Sequence, residues 1–182
     1  MALRATVYKV DLQVSDIDRA CFGTFPLSLA RHPSETEERL MVRLLAFALH
    51  ADEGLGFGRG ISTEDEPALW RRDLTGAITS WIEVGLPDER VLKRAAGRSE
   101  EVVVYTYGGR TARQWWQQNA ASLNRLRNLR VVDLPPELTT ALADRAKRNM
   151  AVDVTVQEGE MWISIGDDTL HARPDVLQAT PT

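Results

Sequence analysis

The chain has 182 residues, 43% apolar and 26% charged, with a formal net charge of −4. That profile suits a single domain with its own core and argues against a strongly basic nucleic-acid coat. The one cysteine, Cys21, excludes a disulfide framework and a four-cysteine zinc site, and no stretch approaches the roughly 18 apolar residues of a membrane span.

In chain order, Leu3 to Val14 and Phe25 to Ala30 are predicted as an N-terminal β-hairpin. Thr6, Tyr8, Val10, Leu12 and Val14 alternate onto one face, and a long polar loop spans Ser15 to Thr24. A helix follows Pro33, with Ser34 as N-cap, Glu37 completing a capping box, and a stripe of Leu40, Met41, Leu44, Leu45 and Ala48 opposite Arg39 and Arg43. Gly54 to Gly60 is a loop or interrupted strand, and Glu64 to Trp70 a short helical turn. Arg71–Thr75 and Ala77–Gly85 are strands meeting near Gly76. Pro87-Asp88 opens a helix through Ala96, and Val102–Tyr107 is a buried strand. Thr111–Leu123 is a helix, Leu129–Leu134 a strand, and Pro135-Pro136 opens a helix to about Arg148. Val152–Val156 and Met161–Ile165 form a C-terminal β-hairpin, and the tail from Pro174 is expected to be loose. The order predicts an α+β (mixed α/β) fold in one domain, residues 1–182, with one mixed central sheet flanked by helices.

Charge is unevenly distributed. Residues 1–89 balance at −6, residues 90–148 at +7 and residues 149–182 at −5, and 19 of the 22 cations are arginine. Arginine forks match phosphate oxygens bidentately, so the middle block predicts a cationic rim. The N-terminus carries no apolar run of signal-peptide length, and the expected location is cytoplasmic, with no membrane partner.

Glu83 lies on the same strand face as Trp81 in a largely apolar run, and a carboxylate there needs a partner or a metal. With Asp73 on the neighbouring strand, the two could hold Mg²⁺ or Mn²⁺, which takes few carboxylates and leaves room for water and phosphate. The alternative is that Asp73 closes a turn and Glu83 pairs with an arginine. Glu38, at the edge of the first helix's apolar face, is either a third acid beside the sheet or a first-turn acid favoured by the helix dipole. Gln114 and Gln118 share one helix face and could meet water or phosphate. His32, His50 and His171 are too dispersed for a zinc motif.

The segments Ala30-Arg31-His32-Pro33-Ser34-Glu35-Thr36-Glu37-Glu38-Arg39, Asp65-Glu66-Pro67, Trp81 through Arg90, and Gln114-Trp115-Trp116-Gln117-Gln118-Asn119 resemble the YaeQ family of small bacterial proteins. The resemblance implies a compact variant of the PD-(D/E)XK nuclease-like core. It implies Glu38, Asp73 and Glu83 as its acids, with Asp73 and Glu83 as the metal ligands. The motif's lysine would fall at Gly85, a departure that makes Lys93 on the following helix the substitute for orienting the attacking water. The implied activity is Mg²⁺- or Mn²⁺-dependent phosphodiester hydrolysis of DNA or RNA. The alternative is a catalytically inactive module of the same fold that binds nucleic acid or a protein partner, with transcription as the implied setting.

Overall fold

The computed structural model describes residues 4–59 and 65–182. They form two compact units, one from residues 1–51 and 137–174, the other from residues 52–136 and 175–182.

The first unit is built on a five-stranded sheet of β1 (Thr6–Asp16), β2 (Cys21–Arg31), β8 (Asn149–Gln157), β9 (Glu160–Ile165) and β10 (Asp168–Ala172), in the order β10-β9-β8-β1-β2. Tyr8, Val10, Leu12 and Val14 are buried while Val7, Lys9, Asp11 and Gln13 are exposed, the period-2 pattern of a sheet with one face in the core. The N-terminal hairpin is tighter than predicted: the strands run to Asp16 and from Cys21 in register, because buried Asp16 accepts from the Arg19 N–H and Ala20 turns through φ +52. The C-terminal hairpin forms as predicted and gains β10.

This unit also holds α1 (Glu37–Leu49), packed on β1 and β2, and α4 (Pro136–Asp144). The N-cap of α1 is Thr36, whose hydroxyl accepts from the Arg39 N–H, and not Ser34, whose hydroxyl bonds the His32 ring instead. Every residue of α1 from Leu40 to Ala48 is buried, Arg43 included, so the predicted polar face does not exist there.

The second unit is a six-stranded sheet of β3 (Leu55–Phe57), β4 (Leu69–Arg72), β5 (Ile78–Val84), β6 (Ser99–Thr106), β7 (Leu129–Asp133) and β11 (Asp175–Gln178), ordered β11-β7-β6-β5-β4-β3. Strands β5, β6 and β7 are parallel, joined by α2 (Glu89–Arg98) and α3 (Arg110–Leu123). Val102, Val103 and Val104 are each 0% exposed, which accounts for the unbroken apolar run: a parallel strand between crossover helices has no wet face. Trp81, Val102, Val104, Leu129 and Val131 form one cluster with Leu92, Ala95 and Leu123, so α2 and α3 cover that side of the sheet.

Three expectations change here. One sheet becomes two, because the hairpin-rich ends of the chain pair with each other through parallel β1 and β8. The segment before β4 is a turn, not a helix, from Asp65 onward; the start of that expected helix lies outside the described residues. The tail is not loose: β11 pairs with β7, and the Gln178 amide donates to the carbonyls of Leu123, Leu126 and Leu129. Those carbonyls close the end of α3 and the turn after it, which makes Gln178 the anchor of the strand.

Candidate functional site

Strand β5 and the elements that follow it carry most of the residues singled out from the sequence. Glu83 sits near the end of β5, opposite Val104 of β6, on the side covered by helices. The Trp81 indole N–H donates to its Oε1 at 2.9 Å. The carboxylate therefore has a built-in donor from its own strand.

Two residues on, Gly85 ends the strand at φ +99, with its N–H donating to the Tyr105 carbonyl. A side chain is strained in that backbone region, whatever space surrounds it. A lysine at this position, where the resemblance expected one, would carry that strain.

Asp73 is not on a strand. It stands in the hairpin turn between β4 and β5, where its Oδ1 accepts from the Thr75 N–H and hydroxyl and the Ala77 N–H. The Thr75 hydroxyl above all, helped by the backbone N–H groups of Ala77 and Thr75, holds this exposed carboxyl below the usual aspartate range. Glu83 lies five residues beyond Ile78, the strand residue next to that turn, or roughly 17 Å along β5 at a strand's rise. Asp73 and Glu83 therefore do not share one cation, and the predicted metal pair is corrected. Among the described residues, no group of three or more His, Cys, Asp or Glu could hold a metal ion. The residues present do not fit Mg²⁺ or Mn²⁺ on this pair.

Lys93 is turned along its own helix to Glu89, which also accepts from the Ser122 hydroxyl of α3. Those two partners, Lys93 first, hold Glu89 below the usual range. The lysine is thus spent on the seam between α2 and α3. Gln114 and Gln118 are exposed on α3. Their neighbour Trp115 faces inward, with its indole N–H on the Pro87 carbonyl at 3.0 Å. Glu38 belongs to the first unit, where the buried Thr139 hydroxyl of α4 donates to its Oε1 at 2.9 Å.

Sequence reasoning missed two groups of the second unit. Glu66 takes the Arg59 N–H at 2.8 Å and its guanidinium at 3.4 Å, just before β4 begins. The antiparallel pairing of Leu69 with Ile82 brings this end of β4 alongside Glu83, and the Asp65-Glu66-Pro67 segment was the available signal. The second group surrounds Asp133, where β7 ends. The buried Thr106 hydroxyl donates to its Oδ1 at 2.6 Å, and Asp175 of β11 is its direct cross-strand partner. Burial first, with the charge of Asp175, pushes the Asp133 carboxyl above its ordinary value; Thr106 and Arg113 pull the other way.

The folded state thus binds this proton more tightly than the unfolded chain does. Its contribution to stability is fully present below the ordinary aspartate value and is lost as pH rises through the raised one. Asp133→Asn keeps an acceptor for Thr106 and removes the like-charge pair. It is expected to raise the melting temperature at neutral pH and to flatten its pH dependence over that window. A series of thermal melts checks this, and an unchanged profile would refute it.

The arginines have a distinct placement. Residues 102–132 contain no Asp or Glu and include Arg110, Arg113, Arg125, Arg127 and Arg130. The first four are exposed, on α3 and in the turn that follows it.

Four helices among the described residues and two mixed sheets define a mixed α+β protein. The YaeQ family model matches residues 1–174, and the chain belongs to that family. The YaeQ protein of Escherichia coli strain K12 is 46% identical over 171 residues, covering 94% of each chain. The crystal structure of YaeQ from Xanthomonas axonopodis pv. citri matches with a TM-score of 0.94 at 48% identity, over 97% of this chain and 99% of that one. That of YaeQ from Pseudomonas syringae matches with 0.92 at 35% identity, over 96% and 97%. Among the described residues no helix is long and apolar enough to cross a membrane.

Proposed function

We propose that the protein is a nucleic-acid-binding module on a nuclease-like core, and that α3 and the turn after it meet the phosphate backbone. The observation that carries this reading is the acid-free stretch with Arg110, Arg113, Arg125 and Arg127 exposed. Among the described residues none of the four is held in a salt bridge, and exposed cations with no ion-pair partner keep most of their field for an external anion. Guanidinium forks then take phosphate oxygens in pairs.

Binding through these four arginines predicts a slope of log K against log salt of roughly −3 to −4. The slope is measured by fluorescence anisotropy with labelled oligonucleotides. Replacing the four arginines with glutamine should abolish most of it. A flat response, or no binding at low salt, defeats the reading and turns attention to a protein partner.

Phosphodiester hydrolysis is the second reading, favoured by the register of β4 and β5. That register supplies Glu66, in place of Asp73, as the acid neighbour of Glu83. Mg²⁺ or Mn²⁺ would then be the cofactor of that pair. Adding either metal to the same binding reactions separates the readings. Cleavage that disappears in Glu83→Ala supports hydrolysis, and intact substrate leaves the module.

A further inference from the structure

Beside Glu83, from Trp81 toward the end of the six-stranded sheet where β5 and β6 begin, the surface holds a different kind of chemistry. Here the Arg72 guanidinium lies over the Trp70 ring, 4.1 Å from its centroid. Trp70 meets Trp81 edge to face at 6.1 Å, and the Arg98 guanidinium lies 5.7 Å over Trp81. Four side chains from β4, β5 and α2 thus form one run of contacts, with a guanidinium over each indole and the two indoles edge to face.

Strand register explains the alignment. Arg72 pairs with Ile78, and Ile78 pairs with Ser99, the residue after Arg98. Two strand spacings put Arg72 and Ser99 roughly 10 Å apart. Both arginines are exposed. Among the described residues no carboxylate pairs with either of them. The acid next to Arg72 in sequence, Asp73, is committed to the N–H groups of its own turn. Trp70 is only partly buried, and Gly56, its partner on β3, has open space where a side chain would stand. Among the described residues, no neighbour fills that flank of the indole.

A guanidinium seated on an indole shows its other face to solvent and keeps its N–H edges free. Such a surface suits a flat, aromatic, anionic ligand. We propose that the Arg72–Trp70–Trp81–Arg98 stack is a docking site for an unpaired nucleobase of a single-stranded nucleic acid, with the base on the Arg72 plane and a phosphate on Arg98. A base in a duplex has both faces already stacked, so only a single strand or a splayed end offers the required surface. The proposal rests on the nucleic-acid reading above and narrows it to a strandedness and a place.

The test is anisotropy with a labelled single-stranded 12-mer and a duplex of the same length. The proteins are the wild type, Arg72→Ala/Arg98→Ala and Arg72→Lys/Arg98→Lys, each checked for fold by its melting temperature. The wild type should prefer the single strand. The alanine variant should lose about ten-fold in single-strand affinity and little for the duplex, since stacking one base is worth about that much. The lysine variant retains charge without the plane, and should keep the salt slope while losing most of the affinity.

Unchanged single-strand binding by the alanine variant, full rescue by lysine, or a preference for duplex overturns the stack while leaving the module reading standing. Failure of the wild type to bind either probe overturns both.

Discussion

Replacing Glu35 with alanine is expected to lower the unfolding free energy by about 3–5 kcal/mol, the cost of stranding a buried cation. Glu35 is 3% exposed and Arg43 4%. The Arg43 fork meets both carboxylate oxygens, Nε on Oε1 at 2.7 Å and Nη2 on Oε2 at 2.9 Å, and Nη2 also donates to the Ala30 carbonyl. Arg39 adds Nη1 on Oε1 at 2.9 Å, and Arg31 donates to the Glu35 carbonyl. Glu35 thus ties the end of β2 to α1 through three arginines.

The two ends of this pair are not equivalent. Removing Glu35 takes the counter-charge from a guanidinium that cannot reach water, whereas Arg43→Met leaves the carboxylate with Arg39 and fills the same space with apolar atoms. The methionine variant should be the milder one, because replacing a buried ion by a packed side chain is often near neutral. Urea unfolding of both variants measures the difference by linear extrapolation. An alanine variant within about 1 kcal/mol of wild type would contradict the dry, paired geometry.

Introducing a lysine at position 85 should damage the protein without creating an enzyme. Gly85→Lys places a side chain at φ +99 and is expected to cost about 1–2 kcal/mol, the penalty for an L-residue in left-handed backbone. Open space around Gly85 does not rescue it, since the strain is in the backbone. The N–H of this residue is also the one that closes β5 onto the Tyr105 carbonyl. Calorimetry tests the loss, and a cleavage assay with Mn²⁺ tests the gain. A stable variant that cuts nucleic acid would mean that Gly85 had replaced a functional lysine. An unstable, inactive one means that the chain turns here for structural reasons.

Legibility differed from place to place, and the differences have physical causes. The predicted helices near α2 and α3 fall within two residues of their observed ends, since Asp88 supplies a cap and Gly108-Gly109 a sharp turn. The buried run at β6 was legible because a parallel strand between helices has one composition on both faces. Arg43 was misread, as periodicity alone assigns a cation to solvent and has no access to a carboxylate eight residues away. Asp73 and Glu83 were misjudged for a similar reason. Their spacing of ten residues fits two adjacent strands, but the hairpin turn consumes Asp73 itself, which puts the two acids at opposite ends of β5. The segment that does lie alongside Glu83, Asp65 to Pro67, precedes β4, and only the antiparallel register reveals this.

By itself, the sequence determined the family, the mixed α+β class, most of the helices and strands, and the segregation of charge into a cationic middle block. These depend on local propensity, on period, and on motifs contiguous in the chain. Tertiary structure alone decided that two sheets form, that the C-terminal strand joins the second of them, that Glu35 is the counter-ion of a buried arginine, and that two arginines stack on two tryptophans at one end of a sheet. Each of these depends on strand register or on burial between distant segments. A one-residue change of register moves a side chain to the other face, and neither composition nor spacing encodes that choice.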